Sequence, residues 1–149
     1  MWPSLDEWLK CLTGKESARL NPDGSYRLFI GKDVAITLQL SEDSSRLMVM
    51  SDLLRLDNLS PEILQEVAEI NLRFDLTSGM TVALEKASST LIVFYQCAPG
   101  SLNLNTFRHM LETVAKNVLL IREFLNGVVQ RSSVSVSAQN HELSQGVFV

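Results

Sequence analysis

The chain has 149 residues, 13 basic and 17 acidic side chains and a formal net charge of −4; its pI is about 5.1. That balance argues against nucleic-acid binding through a basic surface and against docking on an anionic membrane. With 46% hydrophobic and 20% charged residues the composition suits one globular domain with a substantial core. No apolar run approaches the roughly 20 residues needed to span a bilayer. The opening residues lack a basic start followed by an apolar run, so no secretory signal is expected.

In chain order, Ser4-Leu5-Asp6-Glu7 has the S-x-x-E spacing of a capping box. Leu5, Trp8, Leu9 and Leu12 then share one helical face, and Gly14 is a natural stop. Asn21-Pro22-Asp23-Gly24 is a strong turn signal. Tyr26 to Ile30 reads as a strand and Gly31-Lys32-Asp33 as a tight connection. Val34, Ile36, Leu38 and Leu40 alternate with Ala35, Thr37 and Gln39, the period of a sheet with one apolar face. Ser41 to Ser45 is a polar turn, and a third strand is expected from Arg46 to Met50 or slightly beyond. Short turns between successive strands imply an antiparallel meander.

Ser60-Pro61-Glu62 is a helix start, with a side-chain cap, proline at the first helical position and an acid in the first turn. Ile63, Val67, Ile70 and Phe74 recur at helical spacing, and Leu64, Ala68 and Leu72 widen the apolar face. Such a helix either turns both stripes to its own core or completes its burial against a partner. Ser78-Gly79 breaks the pattern. Met80 to Leu84 and Thr90 to Gln96 follow as two strands around Lys86-Ala87-Ser88-Ser89, and Pro99-Gly100 ends the second. From about Leu104 a long helix carries Phe107, Leu111, Val114, Val118, Ile121 and Leu125 on one seam. Residues 127–149 read as a poorly ordered tail with one short strand at Val134 to Val136. The expected fold is therefore a single α+β domain over residues 1–126, in the order α-β-β-β-α-β-β-α, with helices packed on one face of an antiparallel sheet.

Signatures of chemistry are absent. Gly31-Lys32-Asp33 lacks the upstream glycine and the following Ser or Thr of a phosphate loop. There is no GxGxxG, no HExxH and no GxSxG elbow. Cys11, Cys97, His109 and His141 are too scattered for a zinc site, and the two cysteines read as reduced thiols. His109 reads as a solvated or core-edge histidine on the long helix. Glu62, Glu66 and Glu69 share a helix face and read as a solvated surface. Met48, Met50 and Met80 are either core methionines or part of an adaptable binding surface. The sequon Asn58-Leu59-Ser60 precedes proline and carries no weight. No catalytic residue, metal or cofactor is expected. What remains is a protein-binding domain, with a small enzyme whose site bears no motif as the rival reading.

The run from Pro61 to Phe74, with Ile70-Asn71-Leu72-Arg73-Phe74 leading into Ser78-Gly79 and the strand Met80-Thr81-Val82-Ala83-Leu84, resembles the class I chaperones of bacterial type III secretion systems (CesT/SycE-like effector chaperones). Thr90 to Gln96 leading to the helix Thr106 to Asn126 is a second matching segment. The resemblance implies an acidic homodimer of the bacterial cytoplasm that binds the N-terminal segment of a secreted effector in extended form, without catalysis. It places the dimer interface on Leu64, Val67, Ala68, Asn71, Leu72, Met80, Val82 and Leu84. It places effector contacts on Trp8, Leu9, Leu12, Leu28, Ile30, Val34, Ile36, Leu38 and Met48, about half of which must face the core. An exposed strand edge offers a further route, by adding an effector strand. Contact with the secretion-apparatus ATPase belongs to the same expectation. The alternative is a small α+β binding module unrelated to secretion.

Overall fold

The structure, a computed structural model, describes residues 3–57 and 60–146, the side chains of Pro3 and of 132–146 excepted. Asn58 and Leu59 of the sequon, and the first two residues of the chain, lie outside that range.

Helix α1 (Pro3–Thr13) ends where expected, and Gly14 follows it with φ +69°. Strands β1 (Ser25–Ile30), β2 (Val34–Leu40) and β3 (Leu47–Arg55) form the meander. Helix α2 (Pro61–Ile70) starts as the sequence dictates: Ser60 accepts a hydrogen bond from the Ile63 N–H through its hydroxyl at 3.2 Å. Helix α3 (Phe74–Thr77) is one turn, closed by Ser78 at φ +50°. Strands β4 (Thr81–Glu85) and β5 (Thr90–Cys97) form the hairpin. A single 3-10 turn (Pro99–Ser101) leads to helix α4 (Leu104–Gly146). Asn103 and Thr106 start α4 with a reciprocal pair, the Thr106 N–H on Asn103 Oδ1 at 3.0 Å and the Asn103 N–H on Thr106 Oγ1 at 2.8 Å.

All five strands pair antiparallel in the order β1-β2-β3-β5-β4. Burial along β2 alternates without a fault, Val34, Ile36, Leu38 and Leu40 being buried and the residues between them half-buried. The buried side faces α4, whose seam of Phe107, Leu111, Val114, Val118, Ile121 and Leu125 is buried throughout. Trp8 of α1 lies against Phe107 with ring centroids 5.5 Å apart. Helix α2 adds Ile63, Val67 and Ile70 to the same core.

Several expectations need correction. The second helix does not reach Phe74. It ends at Ile70, the chain turns through Asn71, Leu72 and Arg73, and Phe74 opens α3 with 73% of its surface exposed. Strand β3 runs five residues past Met50, because a bulge between Asp52 and Leu54 lets it keep pairing with β5. No strand forms at Val134 to Val136, since α4 continues through Gly127 to Gly146. Met48 and Met50 are half-buried on the sheet face turned away from α4, whereas Met80 is a core residue at 6% exposure.

Candidate functional site

Two surfaces stand out. The first is a groove of about 600 Å³ where α1, β1 and α4 meet. Leu12, Leu28, Ile30 and Leu111 give it an apolar floor, and Lys15, Arg27, Arg108 and Glu112 stand around it. It exists because β1 is an edge strand that the helix layer only partly covers.

Of the residues expected to meet an effector, Leu12, Leu28 and Ile30 line this groove. Leu9, Val34, Ile36 and Leu38 do not: each is at most 2% exposed and belongs to the core. The alternation that marked these strand residues as apolar is also what turns them inward. Trp8 is half-buried against Phe107, and Met48 lies on the opposite sheet face, so neither joins the groove. Sequence reasoning missed Phe29, an apolar residue on the outward side of β1, 69% exposed with the Arg27 guanidinium 5.6 Å above its ring. Its signal was present in the alternation, which places it opposite Leu28.

The second surface is built by α2, α3 and β4. Leu64 is 42%, Leu72 86%, Phe74 73% and Leu84 38% exposed. Ala68 and Asn71 are also exposed, while Val67, Met80 and Val82 lie beneath them in the core. Arg73 is held by Asp75 in a two-pronged contact, Nε to Oδ1 at 2.9 Å and Nη2 to Oδ2 at 2.7 Å, and its guanidinium sits 5.7 Å from the Phe124 ring centre. The hydrogen bond from Arg73 holds the Asp75 carboxyl below its usual range. Asn71 reaches across to β4. Its Oδ1 accepts from the Val82 N–H at 2.7 Å, and its Nδ2 donates to the Val82 carbonyl at 3.1 Å.

Chemistry finds little purchase. Among the described residues no group of three or more His, Cys, Asp or Glu side chains is placed to hold a metal. Cys11 is exposed and Cys97 half-buried, both free, and burial pushes the Cys97 thiol up. His109 is exposed. A second concavity of about 770 Å³ lies over the turns at Asn21 and Ser41. There the Asp6 carboxylate is occupied by the Leu20 N–H at 2.8 Å, which ties α1 to the following loop. No helix among the described residues is long and apolar enough to cross a membrane.

Exposed apolar faces, an apolar groove and an open sheet edge define a domain built to bind protein. Residues 9–118 match the model of the Tir chaperone protein (CesT) family, and the chain belongs to that family. No curated protein matches it in sequence. Solved structures share its fold. A chain of the ExsC–ExsE complex is 19% identical with a TM-score of 0.70, the match covering 84% of this chain and 97% of that one. A chain of the HopA1–SchA chaperone–effector complex is 17% identical with a TM-score of 0.66, over 80% of this chain and 91% of that one. A chain from the complex of the Yersinia pestis type III secretion chaperone SycH with a fragment of YscM2 is 18% identical with a TM-score of 0.61, over 80% and 98%.

Proposed function

We propose that this protein is a chaperone for secreted effectors of a bacterial type III secretion system. It binds the N-terminal segment of its client in extended form and keeps that segment soluble and ready for export. The observation that carries the reading is the α1–β1–α4 groove lying beside an unpaired strand edge. An extended chain is the ligand that matches both, through side chains in the groove and main-chain hydrogen bonds along the edge. Family membership and the chaperone–effector character of the HopA1–SchA structure support it.

Leu12, Leu28 and Ile30 make the client contacts, with Trp8 and Leu9 fixing α1 from behind. The chain works as a homodimer. Leu64, Ala68, Leu72 and Leu84 form the contact between protomers, over a base of Val67, Met80 and Val82. The dimer covers exposed leucines whose burial supplies about 25 cal/mol per Å² of apolar surface. Binding alone is the activity, with no catalysis and no cofactor, and the site of action is the bacterial cytoplasm. Residues 1–126 form the binding unit, 127–149 extend beyond it, and the secretion-apparatus ATPase is a later contact of the loaded complex.

The test is affinity capture of the tagged chain from its native bacterium, with the bound protein identified and its protected segment mapped by limited proteolysis. Recovery of a secreted protein protected only near its N-terminus is expected. Recovery of the chain alone, or of a client protected over a folded domain, overturns the reading.

A further inference from the structure

Strand β4 is one edge of the sheet, and an edge strand offers its outward N–H and C=O groups to any second strand that comes alongside. In an antiparallel ladder alternate residues turn those groups towards the neighbour strand and away from it. The Val82 N–H lies 2.7 Å from Asn71 Oδ1, so Val82 is one of the residues that face away from β5. Leu84 and, just before the strand, Met80 share that direction. The Met80 N–H donates to the Thr77 carbonyl at 3.0 Å. The Val82 carbonyl accepts from Asn71 Nδ2 at 3.1 Å. Of the three, Leu84 alone keeps both outward groups without a partner among the described residues.

The primary amide of asparagine presents an acceptor and a donor, as the backbone of a paired residue does. At Val82 it makes the two bonds that a further strand would make. It is held in place by the turn that follows α2. The Leu72 N–H donates to the Glu69 carbonyl and the Arg73 N–H to the Ile70 carbonyl, both at 2.9 Å. Arg73 is clamped in turn by Asp75, at 2.7 and 2.9 Å. Sequence resemblance counts Asn71 among the residues that touch a second protomer, but its side chain is occupied within its own chain.

We propose that Asn71 caps the β4 edge, so that a second copy of this chain meets the α2–α3–β4 surface through side chains and the two sheets stay separate. The inference rests on the proposed homodimer for the identity of the partner and adds how the two chains meet. A pair joined strand to strand at β4 needs the Val82 N–H and C=O, and both are already bonded. What the surface has left to offer is apolar: Leu64, Leu72, Phe74 and Leu84 are all exposed around the cap. With Asn71 removed, β4 has two successive outward residues, Val82 and Leu84, free to pair.

The test is NMR on the full chain, with amide exchange read in dilute samples and contacts between copies read in mixed-isotope samples at high concentration. In the parent, Val82 is expected to exchange slowly when dilute, because its partner lies in the same chain. Concentrated parent is expected to show side-chain contacts between copies and no main-chain contacts from β4 to β4. Asn71→Ala is expected to exchange about tenfold faster at Val82 when dilute. On concentration it is expected to gain main-chain contacts from β4 to β4. Asn71→Asp, which keeps an acceptor for the Val82 N–H and lacks the donor, is expected to fall between the two. The parent measurements need neither variant to fold. Main-chain β4 contacts in the parent overturn the inference and leave the homodimer standing. An Asn71→Ala protein with Val82 as slow as in the parent, or with no β4 contacts at any concentration, also overturns it. A parent with no contacts between copies overturns the homodimer, and the Asn71→Ala comparison then still decides the cap.

Discussion

Arg122 of α4 donates from Nε to the main-chain carbonyl of Leu53 at 2.8 Å, at the bulge of β3. The same guanidinium reaches the carbonyls of Asp52 at 2.7 Å and Asp33 at 2.6 Å. A bulge leaves carbonyls unpaired, and one planar cation satisfies two of them together with the turn that opens β2. Arg122→Leu is expected to lower stability by about 2–4 kcal/mol, because charge-assisted hydrogen bonds are lost and the carbonyls are left short of partners. Arg122→Lys, a single point donor, recovers only part of that. Urea denaturation of the three proteins measures it, and a Leu variant as stable as the parent contradicts the account.

Leu72 and Val67 separate two roles within one surface. Leu72 is 86% exposed and Val67 8%. Leu72→Asp is expected to keep the circular dichroism spectrum and turn dimer into monomer on light scattering. Val67→Asp places an unpaired carboxylate in the core and is expected to cost about 3–5 kcal/mol, giving unfolded or insoluble protein. A soluble dimeric Leu72→Asp protein removes the turn after α2 from the proposed interface.

The Ser41–Ser45 turn has an acid-sensitive centre. Hydrogen bonds from the Ser41 and Ser45 hydroxyls lower the Asp43 carboxyl from 3.8 to about 2. With the folded value below the unfolded one, its stabilising contribution is complete above the unfolded pKa and is lost as pH falls through about 2. Titration of the Ser45 amide shift is expected to report that low midpoint, and Asp43→Asn to abolish it. A midpoint at the ordinary carboxylate value contradicts the turn geometry.

Gly24 stands at φ +80°, and a Cβ built there lies 2.6 Å from the Leu40 carbonyl oxygen. Gly24→Ala is expected to cost about 1–3 kcal/mol through backbone strain, seen as a fall in melting temperature. An unchanged melt means that the turn leading into β1 relaxes freely and contradicts the strain argument.

What the sequence revealed follows the range of the interactions. The β2 alternation and the α4 seam are periodic signals within one element, and both appear as read, from Val34 to Leu40 and from Phe107 to Leu125. The Phe74 position failed because a local break at Asn71 to Arg73 resets the helical phase, and the spacing of the apolar residues alone does not reveal it. Asn71 with Val82, and Arg122 with Leu53, join residues of different elements through polar side chains, and no periodic pattern announces them. The groove was half legible. Apolar residues were easy to find, but which of them face the core depends on where α4 lies, and that places Leu9, Val34, Ile36 and Leu38 in the core.

The most direct test of the central claim is light scattering, after size exclusion, on the chain mixed with the N-terminal segment of the secreted protein it captures. The account predicts one particle holding two chains of 16.6 kDa each and the segment, with the segment gaining no compact fold of its own by amide exchange. A chain that stays monomeric and elutes apart from the segment contradicts it.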